Sequence, residues 1–250
     1  MKKLSLSIKV YFGLIVILAL LASINIFLPQ GSFSAVMQDR QLPASRPILA
    51  LVNAGIMLFI YGGLGLIGVK LSHKLGFPEI WDAKISNRER FIVPAVIGIG
   101  IGIFFIIVDV VISQFHSLGQ LPHPPFPTSL VASAVAGIGE EVIFRLFFIT
   151  FWTWLISYVI LKKKKQNIVF WIVTIISALA FAVSHIPSII VLHGFSDFSQ
   201  IPVLLLFEIV LLNSFLSIFA ADYFRRYGFL AAVGIHFWVD IIWHVIWGAL

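Results

Sequence analysis

Seven stretches of the chain stay apolar long enough to cross a bilayer: residues 10–28, 48–69, 91–113, 128–161, 168–193, 201–221 and 229–249. A helix rises about 1.5 Å per residue and the hydrocarbon layer is about 30 Å thick, so roughly 20 residues make one crossing. The pattern therefore predicts an all-α, polytopic bundle forming a single membrane domain over 1–250. Residues 128–161 exceed one crossing: such a helix tilts steeply, projects from the membrane or breaks near Thr150. Seven spans are expected, with eight as the alternative. Between spans, 73–90 reads as a partly amphipathic linker and the proline-rich 114–127 as a stiff connection, because proline ends one helix before the next begins. The first apolar run is longer than a typical signal-peptide core, so an uncleaved anchor is expected despite the small residues SFSA at 32–35.

Composition agrees with this class and narrows the chemistry. Of 250 residues, 60% are hydrophobic and 11% charged, and the mean hydropathy is +1.05, far from soluble-protein usage. There is no cysteine, which excludes a disulfide framework and a thiolate nucleophile. The net charge of +6 is a topology signal. With the N-terminus in the cytoplasm, the inner segments hold Lys2, Lys3, Lys9, Lys70, Lys74, Lys84, Arg88, Arg90, Lys162 to Lys165, Arg225 and Arg226; Arg40 and Arg46 fall outside. Nucleic acid is thereby an unnecessary partner, and membrane lipid the necessary one.

Against that background the polar residues within spans stand out: Asp109, Glu140, Glu141, Arg145, His185, Glu208, Asn213, His236, Asp240 and His244. A charge at the bilayer centre costs about 2.5–3.5 kcal/mol even on mild scales, so each should face the bundle interior or an interface. Glu141 and Arg145 are four apart, on one helix face, and an ion pair between them satisfies both. Glu140 is turned about 100° away, which leaves one carboxylate free to take a proton from water. His236, Asp240 and His244 form an i, i+4, i+8 stripe in which Asp240 is expected to orient the His236 ring, with His244 assigned to a packing seam. By helix rise, Glu140 lies about 18 Å from the outer end of its span and His236 about 11 Å from the inner end of its own, similar depths, whereas His185 falls nearer the outer side.

One carboxylate and two imidazoles on three helices suit hydrolysis in two forms. Without a metal, Glu140 and His185 activate water and His236 stabilises the developing oxyanion. With zinc, His185, His236 and a carboxylate such as Glu140 hold the ion. No HExxH is present, so the cofactor is none or zinc.

Three motifs point further. EEVIFR at 140–145, FAVSH at 181–185 and HFWVD at 236–240 resemble the EExxxR, FxxxH and Hxxx(N/D) motifs of the CAAX prenyl endopeptidase-like intramembrane proteases, a group that includes the Abi proteins. The resemblance covers about 125–249 and implies a membrane endopeptidase, with Glu140 and His185 activating water, His236 and Asp240 shaping the oxyanion site, and Glu141 and Arg145 in support. Asp240 stands where the best-known prenyl-protein proteases have asparagine, and Leu146 where glycine is frequent. Because bacteria generally lack prenylated CaaX proteins, the expected substrate in a bacterial cell membrane is a membrane-proximal peptide or membrane-protein terminus. The rival readings are an ion- or proton-coupled transporter using Asp109, Glu208 and the histidine stripe, and a non-catalytic scaffold or immunity protein. Oligomeric state is not written in the sequence.

Overall fold

The structure, a computed structural model, describes residues 5–31 and 43–250. Lys2, Lys3, Arg40 and the SFSA segment lie outside the described residues. Within them the chain is helical without strands, and seven helices are long and apolar enough to span a membrane: α1 Leu6–Asn25, α2 Arg46–Leu75, α3 Arg88–Phe115, α4 Thr128–Ile160, α5 Gln166–His193, α6 Val203–Tyr227 and α7 Phe229–Ala249. The count of seven is borne out. The 33 residues of α4 run through Thr150 without a break, so the eighth span does not form.

The helix ends follow local rules. The Ser5 side chain accepts from Ile8 N to start α1, and Pro47 sits in the first turn of α2, where its missing N–H costs nothing. Gly228, at φ +86°, makes the short turn that sends α7 back alongside α6, a backbone conformation that glycine adopts without strain.

Lipid replaces water around such a bundle, so outward positions are apolar and the interior is marked by small and polar groups instead. Leu51, Phe59, Ile92 and Val203 are among the exposed large apolar side chains. α7 is the most buried span; it packs against α3, α4 and α6, while α4 also packs on α1 and α2. One apolar cluster, including Tyr11, Phe170, Phe224 and Phe229, fills the lysine-rich end. A second, with Phe105, Phe181, Leu212, Ile235 and Trp243, lies against the polar residues of α4 and α7.

α2 meets α4 at Gly68, where an added Cβ would lie 2.1 Å from the carbonyl oxygen of Leu146. Gly68→Ala is accordingly expected to destabilise the protein by about 1–3 kcal/mol, the usual cost of overpacking. Gly63→Ala, with nothing within 4 Å of the new methyl, should not destabilise. Thermal unfolding of the two variants in detergent checks the contrast; equal melting temperatures would mean that the α2–α4 approach is not tight.

Candidate active site

Three helices bring the polar residues together, each beside a local irregularity. α4 carries Glu140 and Glu141 and widens into π-helical turns over Val142–Ile149 immediately afterwards. α7 does the same over Ile241–Ile246, directly after Asp240. Such stretches also occur at Ile56–Tyr61, Arg88–Ile92 and Trp154–Ile160, so the π turns beside the site do not by themselves mark it, and the site residues stand in the regular turns that precede them. In α5 the irregularity is a break: the regular helix ends at Ser184 and resumes at Ile186. Pro187 has no N–H to give the preceding turn, and its ring crowds the carbonyl four residues back.

That break sets the state of His185. Its backbone N–H bonds to Ala182 O instead of to Phe181 O, and the freed Phe181 carbonyl lies 2.8 Å from His185 Nδ1. A carbonyl only accepts, so the neutral ring carries its proton on Nδ1 and leaves Nε2 with a lone pair. His185 lines the same cavity as Glu140, His236 and Asp240, although the sequence placed it nearer the outer side.

His236 is held from α4. Its Nδ1 lies 2.8 Å from Glu141 Oε1, while Nε2 is 3.7 Å from both Glu140 Oε2 and Asp240 Oδ2. The geometry departs from the expectation that Asp240 orients this ring. Asp240, one turn along the same helix, stands beside Nε2 beyond hydrogen-bond distance, and the carboxylate in contact is Glu141. Glu141 is also the partner of Arg145, Oε2 to Nε at 3.1 Å with both side chains fully buried. The pair is close without hydrogen-bond alignment, and the Arg145 Nη atoms have no hydrogen-bond partner among the described residues. The guanidinium lies over the Phe181 ring, 4.9 Å to its centroid. Phe181 in turn meets His185 and His236 edge-on, at 4.9 and 5.7 Å. One buried phenyl thus spaces the two imidazoles and faces the arginine.

The two glutamates divide as their helix positions imply. The Glu141 side chain is fully buried, whereas that of Glu140 is 34% exposed and opens into a cavity of about 260 Å3. Asn213 and His244 line this cavity too. His244 does not merely pack: its Nδ1 is 3.1 Å from Nδ1 of His123, in the proline-rich connection. Glu208 does not reach the cavity; it faces Asp109 and His116. His123 and the double duty of Glu141 were not foreseen. Among the described residues, no group of three or more His, Cys, Asp or Glu side chains is arranged to hold a metal ion.

Residues 122–242 match the Rce1-like family model, Type II CAAX prenyl endopeptidases. The matched segment runs from the proline-rich connection through most of α7 and contains all three motifs, while α1 to α3 lie before it. The Rce1-like resemblance drawn from those motifs is borne out. Set in a bundle of seven spanning helices, an Rce1-like segment supports an integral membrane protease of the CAAX type acting on a peptide or protein. Neither the curated proteins nor the solved structures contain a match to the chain.

Proposed function

We propose that the protein is an intramembrane endopeptidase of the glutamate type, cleaving membrane-proximal or membrane-embedded peptide segments. The observation that carries this reading is the meeting of Glu140, His185, His236 and Asp240, from three helices, on one cavity. Glu140, the carboxylate open to that cavity, removes a proton from water with the help of the His185 lone pair. The water oxygen forms a bond to the peptide carbonyl carbon. His236, protonated on both nitrogens, donates through Nδ1 to Glu141 and presents Nε2–H to the oxyanion, a preorganised donor of the kind that stabilises acyl-transfer intermediates. The proton held by Glu140 then passes to the leaving amine as the C–N bond breaks. Asp240 flanks Nε2 and shapes the pocket beside it; Glu141 and Arg145 hold His236 without touching the substrate.

The gathering of 14 of the 17 basic residues in the segments on one side of the spans supports a cytoplasmic N-terminus. The test is cleavage of a fluorogenic apolar peptide by purified protein in liposomes. Activity is expected to survive EDTA or 1,10-phenanthroline essentially unchanged. Loss of activity on chelation, restored by one equivalent of zinc, would overturn the glutamate mechanism; ion flux without cleavage would replace the protease by a transporter.

A further inference from the structure

The cavity is too narrow for a substrate that stays helical. At about 260 Å3 it falls below the roughly 300–1,000 Å3 of pockets that bury small molecules. A helical substrate, about 10–12 Å across with its side chains, does not fit. The Glu140 side chain is 34% exposed, so a peptide bond can reach it only as part of a narrow, extended strand, and movement of one wall would widen the way in.

Most of the lining belongs to spanning helices packed along their length. The exception is the irregular stretch around Leu121, Pro122 and Pro124. Leu118 and Leu121 of this stretch pack against apolar residues of α5 and α6, and its polar fastenings are few. Leu121 N donates to Asp109 Oδ1 at 3.0 Å. His123 meets His244 through the two Nδ1 atoms and stands edge-on to Trp243, 4.7 Å between centroids. Burial pushes the His123 pKa down to about 4, so at neutral pH its ring is uncharged. His123 also seats against Gly248, where an added Cβ would lie 2.6 Å from His123 Cβ; only a residue without a side chain allows this seat.

The foot of the same segment is poorly satisfied. His116 Nε2 is 3.7 Å from Glu208 Oε2. Asp109 and Glu208 lie close enough to hydrogen-bond to each other when one carboxyl is protonated, while both ring nitrogens of His116 are buried without a hydrogen-bond partner among the described residues. A buried polar group left unpaired costs about 1–3 kcal/mol, and opening the segment to water would relieve that cost.

We propose that residues 116–124 are the substrate gate of the cavity and a determinant of its specificity. The gate swings about the Asp109–His116–Glu208 foot and releases at His123 to admit one extended peptide strand. It thereby selects chain termini and unwound segments over intact transmembrane helices. This rests on the endopeptidase reading and adds the form in which the substrate is accepted.

The absence of cysteine makes the test clean. In the full chain, His123→Cys with Gly248→Cys places two thiols at the seat; the 2.6 Å approach needs to relax by about 1 Å to meet the usual Cβ separation of a disulfide. The pair is closed with oxidant, or bridged by dibromobimane, in liposomes. Bridging is expected to cut cleavage of an unstructured peptide at least tenfold and to slow carbethoxylation of His185 by diethyl pyrocarbonate, with both rates restored when the disulfide is reduced. A bridge that leaves both rates unchanged overturns the gate, and failure to bridge by either route overturns the closed seat. Carbethoxylation that responds to bridging while neither form cleaves peptide would retain the gate and sink the protease.

Discussion

Glu140→Gln is expected to reduce peptide cleavage by about 10²–10⁴-fold, the range over which a positioned general base contributes, with no loss of folded protein. The substitution is nearly isosteric and removes only the capacity to take a proton. The side chain is 34% exposed to the cavity, and its nearest charged neighbour is His236 Nε2 at 3.7 Å, too far for a hydrogen bond that folding would miss. The measurement pairs initial cleavage rates in liposomes with thermal unfolding in detergent. Two results would count against Glu140 as the base: retention of more than about a tenth of the activity, or a melting temperature that falls along with it. The same experiment separates the protease from a scaffold, whose biological effect would survive the substitution.

The seven-helix architecture was legible because it depends on run length alone. A stretch such as 91–108 is apolar on every side, and no water-soluble fold would leave such a helix in place. The identity of the free carboxylate was legible too, since adjacent residues on a helix point about 100° apart and a buried arginine claims the carboxylate one turn away. The fine geometry was not. Sequence spacing assigned Asp240 to His236 because both lie on α7, but spacing along one helix says nothing about a neighbouring helix. The nearest carboxylate to Nδ1 comes from α4, across the α4–α7 contact. The depth reading for His185 did not anticipate the break in its helix, because a constant rise per residue assumes an unbroken one. Pro187, two residues on, carried the correcting signal. His123 had no signal of its own, being one polar residue in a connection whose path only packing determines.

Arg145→Ala is expected to be the most destabilising single substitution near the site, costing about 3–5 kcal/mol as breaking a buried ion pair does. The alanine would leave Glu141 Oε2 without its partner in a fully buried position, with His236 on the other oxygen its remaining partner, and remove the guanidinium that lies on Phe181. Because Glu141 also holds His236, folding and catalysis are coupled through one carboxylate, and loss of activity in this variant alone would not say which had failed. A double replacement separates them. Glu141→Met with Arg145→Met removes both charges and keeps side-chain bulk, and replacing a buried pair by apolar residues is often neutral or stabilising. The double variant is therefore expected to recover most of the thermal stability lost by Arg145→Ala, read as the melting temperature in detergent. It should nevertheless cleave poorly, because the His236 ring has lost the acceptor that fixes it. Full recovery of both stability and cleavage would show that Glu141 serves only the arginine. Recovery of neither would place the role of the pair in packing, beyond the reach of any charge argument.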